Sequence, residues 1–239
     1  KYEFDYNFFD SINTESKAYF LGLLFADGYN CLKKEKSYTV GIELQIQDRE
    51  IVDRLKQEIQ YTGEVQVRKA RMINTSDQCV LRLHNKDFSI KLSNMGLVPR
   101  KTLVVRFPSC LPKKMIRHFV RGYFDGNGCL SVNKKRGLGW QVAICSGSNL
   151  FCQDMVSLLQ QELMVEAYLK SRPESNSHNV VLFNLPSIKA FLLWIYKDST
   201  VYLKRKHNKF KEFLSYLTMN IQKIESKMKT EKDFIEQFV

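Results

Sequence analysis

The sequence predicts an α+β fold made of two pseudo-symmetric αββαββα halves. Three observations carry this. The stretch Tyr19–Gly28, YFLGLLFADG, returns 100 positions later as Phe119–Gly128, FVRGYFDGNG, with Gly22 matched by Gly122 and Gly28 by Gly128. A second signature, Leu97–Lys101 (LVPRK), is echoed by Tyr202–Lys206 (YLKRK), with the Arg-Lys pairs 105 positions apart. The hydrophobic pattern between these landmarks runs twice in the same order, as an internal duplication requires. The expected organisation is a first half over 1–105, a second over 106–217 and a helical tail over 218–239.

The elements follow in order. Thr14 or Ser16 can cap a first helix, with Glu15 favouring its dipole. Ala18, Phe20, Leu21, Leu23, Leu24 and Phe25 make that helix apolar all round, hence buried. Gly22 inside it costs about 1 kcal/mol relative to alanine, which makes sense where another backbone comes close. Tyr29–Lys36 reads as a turn. Tyr38–Gln47 alternates Val40, Ile42, Leu44 and Ile46 against polar residues, a strand with one core face. Asp48 caps a helix containing Ile51, Val52, Leu55 and Ile59. Glu64–Lys69 and Gln78–Leu83 are strands, and Asn85–Asn94 is a helix closed by Gly96. Leu103–Pro108 reads as extended. In the second half Pro112 opens a helix and Cys129–Asn133 and Trp140–Cys145 are strands. Asn149–Leu163 is a helix, Glu166–Arg172 and Asn179–Asn184 are strands, and Pro186–Tyr196 and Lys204–Leu217 are helices. Trp140 and Trp194 read as core.

Composition narrows the partner class. The 239 residues, 44% of them hydrophobic, suffice for a sizeable core. No apolar run approaches the roughly 20 residues of a membrane span. The chain opens without methionine, as an excised portion of a longer protein would. Thirty-seven Lys and Arg against 25 acids give a net charge of +12, which favours a polyanion such as nucleic acid. Six cysteines without a C-x-x-C pair, and only four histidines, argue against zinc and for reduced thiols inside a cell.

The repeated helices also suggest chemistry. Small residues Gly22, Ala26, Gly122 and Gly126 would let two helices pack closely. Their C-terminal ends would then bring Asp27 and residue 127 side by side. Two carboxylates converging there would bind Mg²⁺, a hard cation that keeps several waters. Metal ions between attacking and leaving oxygens can hydrolyse a phosphodiester. One copy departs from this: position 127 is Asn127, which offers a carbonyl oxygen without charge.

Phe20–Gly28 (FLGLLFADG) and Val120–Gly128 (VRGYFDGNG) resemble the motif of the LAGLIDADG homing endonucleases. Over about residues 12–217 the chain is similar to the monomeric, two-motif branch. The resemblance implies two four-stranded antiparallel sheets straddling double-stranded DNA in the major groove, each half reading one half-site. It implies metal coordination by the last motif acid, Asp27, with Asn127 in the matching place and Gly28 and Gly128 beside them. Mg²⁺ is the expected ion, Ca²⁺ substituting without cleavage, and two cuts would leave short 3′ overhangs. Lys101 and Lys206 match the basic residues that support the chemistry, and Gln47 is expected to orient water in such a site. Base and backbone contacts fall to polar strand positions and turns: Lys34, Gln45, Gln47, Arg68, Arg71, Arg82, His84, Lys134, Arg136, Gln141, Lys170 and Arg172. Arg to guanine and Gln to adenine are pairings the major groove supports.

Asn127 leaves three readings open: an introduced change that traps uncut DNA, a natural loss, or compensation by Asp125. An intron RNA maturase and a non-cleaving DNA-binding regulator stand as alternatives on the same scaffold.

Overall fold

Each half is built on a helix that runs straight into the edge strand of a sheet. The structure, a computed structural model, describes residues 2–32, 38–70, 76–133 and 139–236. In the first half the elements are α1 (Glu15–Asp27), β1 (Gly28–Leu32), β2 (Tyr38–Gln45), α2 (Arg49–Glu58), β3 (Gln66–Arg68), β4 (Gln78–Leu83) and α3 (Lys86–Asn94). The second half repeats them as α4 (Ile116–Asn127), β5 (Gly128–Asn133), β6 (Gly139–Ser146), α5 (Asn149–Leu163), β7 (Tyr168–Arg172), β8 (Ser177–Leu182) and α6 (Leu185–Tyr196). The strands form two antiparallel four-stranded sheets, ordered β1-β2-β4-β3 and β5-β6-β8-β7. Residues 1–203 make one compact unit and residues 204–239 a second. The second unit is the helix α7 (Lys204–Glu236), which runs unbroken through the expected 217/218 boundary. Among the described residues no helix is long and apolar enough to cross a membrane.

Local chemistry accounts for the element boundaries. The Thr14 hydroxyl accepts from the Lys17 N–H, Asn85 from Phe88, Ser148 from Phe151 and Asn184 from Ser187, so four helices start on side-chain caps. Gly96 closes the α3 turn with φ 108°, a left-handed conformation that favours glycine.

Three expectations change. Tyr29–Lys36 is not simply a turn: Gly28–Leu32 is a strand, in register with Tyr38–Ile42. The stretch GYNCL has no alternation to betray it; the sheet partner imposes it. Ile46–Asp48 is a short 3₁₀ turn, so Gln47 lies past the strand end. Leu103–Pro108 is not continuous extended chain, since Lys101–Leu103 is a further 3₁₀ turn.

α1 and α4 pack against each other through backbone. A β-carbon on Gly22 would land on the Phe119 carbonyl oxygen, and one on Gly122 on the Tyr19 carbonyl oxygen. The two contacts are reciprocal, as pseudo-symmetry demands. Around this crossing the halves differ. In one flank Phe25 meets Phe119 edge to face at 5.2 Å. In the other, Asp125 takes the place of Phe25, fully buried among polar partners.

Candidate catalytic centre and nucleic-acid interface

The paired helices end together. A β-carbon on Gly126 would lie 2.5 Å from the Ala26 methyl and 2.5 Å from Asp27 Oδ2. The Asp27 carboxylate therefore sits against α4 one residue before Asn127. Both side chains are half-buried, each at a helix C-terminus, whose partial negative charge favours a cation. The chain passes from each helix into a strand through Gly28 and Gly128, whose N–H groups donate to the Leu24 and Phe124 carbonyls. Their backbone is extended, with φ −78° and −93°, so glycine answers a steric need. A β-carbon there would press on Leu24 or Phe124.

Lys101 joins this centre. It follows Arg100, which holds a left-handed φ of 56°, and its Nζ donates to the Ala26 carbonyl at 3.1 Å. Burial lowers its pKa to about 8, against the opposing pull of the Asp27 carboxylate. On the other side, Asn127 Nδ2 donates to Tyr123 Oη at 3.4 Å, and Tyr123 Oη donates to the Cys145 carbonyl at 3.1 Å. Burial pushes the Tyr123 hydroxyl up to about 12, so it stays protonated.

The donor set at the helix ends is one carboxylate and one amide oxygen. Among the described residues no group of three or more His, Cys, Asp or Glu could hold a metal ion. This fits a hard divalent cation only where waters and substrate phosphate oxygens complete the shell, the usual manner of Mg²⁺. Asp125 does not stand in for the missing acid. It is fully buried, accepting from Tyr19 Oη at 2.8 Å, Tyr196 Oη at 2.5 Å and the Leu203 N–H at 2.7 Å. Arg121, also fully buried, donates to Glu15 at 2.6 Å and to the Ile195 and Val201 carbonyls.

This network makes a prediction about pH. Burial raises the Asp125 pKa to about 6, against the hydrogen bonds that favour its anion. Its contribution to stability is present below the unfolded value near 4 and lost as pH rises to about 6, on the order of 2–3 kcal/mol. His118, with Nδ1 3.0 Å from Arg121, has its pKa lowered to about 4 by burial, then by Arg121 and, more weakly, Arg117. Its contribution has the opposite sign: present above about 6.5 and lost as pH falls towards 4. Urea midpoints of His118→Gln should therefore fall between pH 4 and 6 more steeply than those of the native chain. Midpoints of Asp125→Asn should rise over the same range.

Among the described residues α2 and α3 pack on the first sheet and α5 and α6 on the second. The opposite, bare face of each sheet has no helix assigned to it and holds most of the polar strand residues. Register places Tyr29, Gly41 and Arg82 in one row of the first bare face; Glu43, Val80 and Gln66 in the next; then Gln45, Gln78 and Arg68. His84 Nδ1 lies 3.0 Å from Thr39 Oγ1 on this face. Thus Gln45, Arg68, Arg82 and His84 share one surface. Within it Arg82 donates to Tyr29 Oη and Gln66 Oε1 at 3.1 and 3.0 Å, and Arg68 pairs with Glu43 at 2.5 Å. Gln47 donates to Gln45 at 2.5 Å at the sheet margin. The second bare face carries Ser131 and Gln141 in one row, Cys145, Asn179 and Lys170 in another, and Ser177 with Arg172 in a third. Alternation alone leads to Gln45, Arg82, Gln141 and Arg172; Tyr29, Gln66 and Gln78 emerge only from the register. Lys34, Arg71, Lys134 and Arg136 lie outside the described residues. Lys206 belongs to the second unit, in the first turn of α7.

Residues 114–216 match the family model of the LAGLIDADG-like domain. The crystal structure of the I-LtrWI LAGLIDADG homing endonuclease bound to target DNA is similar over 87% of this chain and 91% of that one, with TM-score 0.60 and 11% identity. The LAGLIDADG homing endonuclease I-GzeII in complex with its DNA target is similar over 89% and 92%, with TM-score 0.59 and 12% identity. I-SmaMI, bound to an uncleaved DNA target in the presence of calcium ions, gives 85% and 92%, TM-score 0.55 and 13% identity. An uncharacterized protein of Methanocaldococcus jannaschii is 23% identical over 155 residues, 64% of this chain; the match spans 56% of that protein's length. The fold is that of the two-motif LAGLIDADG homing endonucleases. By sequence, residues 114–216 of the second half are similar to the LAGLIDADG-like domain.

Proposed function

We propose that the chain is a site-specific binder of duplex DNA with a phosphodiester-hydrolysing centre at its helix ends, impaired in double-strand cleavage by Asn127. The observation that carries this is the Asp27 carboxylate lying against Gly126, the neighbour of Asn127, with Lys101 Nζ on the Ala26 carbonyl, where both helices enter the edge strands of two polar sheet faces. Those faces would lie in successive major-groove segments, with Gln45, Arg68, Arg82, His84, Gln141, Lys170 and Arg172 reading bases or gripping phosphates. A Mg²⁺ ion held by Asp27, the Asn127 oxygen and phosphate oxygens, beside the Gly28 and Gly128 backbone, would neutralise charge at the scissile phosphate. Asp27 orients the centre through its place against α4. The Lys101 ammonium offsets charge that develops on the phosphate, and Lys206 and Gln47 are proposed to act in support. The positive net charge of +12 speeds encounter with DNA.

Two tests bear on this. The full chain should retard a target selected from random duplex DNA in Ca²⁺, while in Mg²⁺ Asp27→Asn should abolish strand scission and leave binding unchanged. Scission that survives in Asp27→Asn would remove the centre from the proposal. Lys101 titrates near 8 and is charged below that value. Its contribution to scission should therefore fade as pH rises past about 8. Lys101→Met should lower the rate at pH 7.5 about a hundredfold, while Lys101→Arg should keep activity above pH 9.

A further inference from the structure

The two bare sheet faces are not chemically alike. Aligning the registers puts Val181 where the first sheet has Arg82, Lys170 where it has Gln66, and Phe183 where it has His84. Ala143 matches Gly41. The margin of the second face thus carries rings where the first carries hydrogen-bonding groups. Tyr168 and Phe183 remain 48% and 41% exposed, their ring centroids 6.3 Å apart. Tyr168 pairs with Val181 across the strands, and the Phe183 ring lies beneath Lys170 Nζ at 4.3 Å. Glu166 accepts from Tyr168 Oη at 3.1 Å and from Asn184 Nδ2 at 3.0 Å. The Glu166 carboxylate offsets the Lys170 ammonium here, so what distinguishes the patch is its two exposed rings, which suit base edges rather than the backbone. Among base edges in the major groove, the thymine methyl is the apolar feature that rings recognise. The Glu166 carboxylate can also accept from an exocyclic amino group of a neighbouring base.

We infer that Tyr168 and Phe183 are specificity-determining residues that read thymine methyl groups, so that the second half-site contains adjacent A·T pairs while the first is read mainly by hydrogen bonds. This rests on the duplex-DNA reading above. The full chain is used in Ca²⁺ to select from random duplex DNA, and the winning sequence is remade with deoxyuridine in place of each thymine. Loss of one buried methyl contact should weaken binding about fourfold at the affected positions of one half-site. Phe183→Ser with Tyr168→Ser should bind thymine and uracil versions equally, with selection at the other half-site unchanged. The uracil comparison uses the native chain and does not depend on how the variant folds. Enrichment of a sequence whose uracil version binds equally well throughout would overturn this inference and leave DNA binding standing. Failure to enrich any sequence would overturn both.

Discussion

Asn127→Asp is expected to raise double-strand cleavage about a hundredfold, the scale on which one preorganised charged group matters to a transition state. The change restores a carboxylate next to Asp27 at the paired helix ends. Local structure tolerates it. Asn127 now donates through Nδ2 to Tyr123 Oη. A carboxylate would accept instead, and the Tyr123 hydroxyl, held protonated by a pKa of about 12, can turn from the Cys145 carbonyl to supply the proton. Asp27 lies against Gly126, one residue before the new acid, so without a cation the two carboxylates should repel and apparent stability should depend on divalent ion. Linearised plasmid with short 3′ overhangs is the product to measure.

Gly122→Ala should be the most damaging single methyl in the chain, costing about 3 kcal/mol or more, the upper range of overpacking. The added carbon would sit on the Tyr19 carbonyl oxygen, and the obstructing atom is backbone. Gly22→Ala should behave alike, since its methyl meets the Phe119 carbonyl. Gly63→Ala is the informative control: the atoms nearest its methyl belong to the ring end of the Tyr61 side chain rather than to backbone, so it should cost less, at the expense of the Tyr61 contacts with Tyr2 and Phe4. Urea denaturation of the three variants should give two large shifts and one small one. The interface variants should also lose strand scission beyond their loss of stability, because Asp27 and Asn127 ride on the ends of the helices being pushed apart.

What the sequence made legible was what repeats. Gly22 and Gly122, and Gly28 and Gly128, mark the same backbone events twice, so duplication exposed the fold and the meeting of the helix ends. The Arg-Lys pairs do not, since Arg100 is left-handed before a 3₁₀ turn and Arg205 lies in the first turn of α7. What stayed hidden is what the two halves do differently. Arg121 counts towards a basic surface in composition, yet it is buried under Glu15 and two carbonyls. Asp125 reads as a spare acid near the motif end; its three donors come from α1, α6 and Leu203, far away in sequence. The strand Gly28–Leu32 carries no periodic signal because its partner, not its side chains, defines it. Tyr168 and Phe183 look like core residues by type, and only register and exposure put them on the bare face.

On the proposed function the centre is unequal: Asp27 and Lys101 bring charge to it and Asn127 does not. Strand-resolved mapping of cleavage on an end-labelled target, with the native chain in Mg²⁺, tests it most directly. The expected result is scission of one strand, at the phosphate served by Asp27, well ahead of the other. Equal cutting of both strands at equal rates would contradict it.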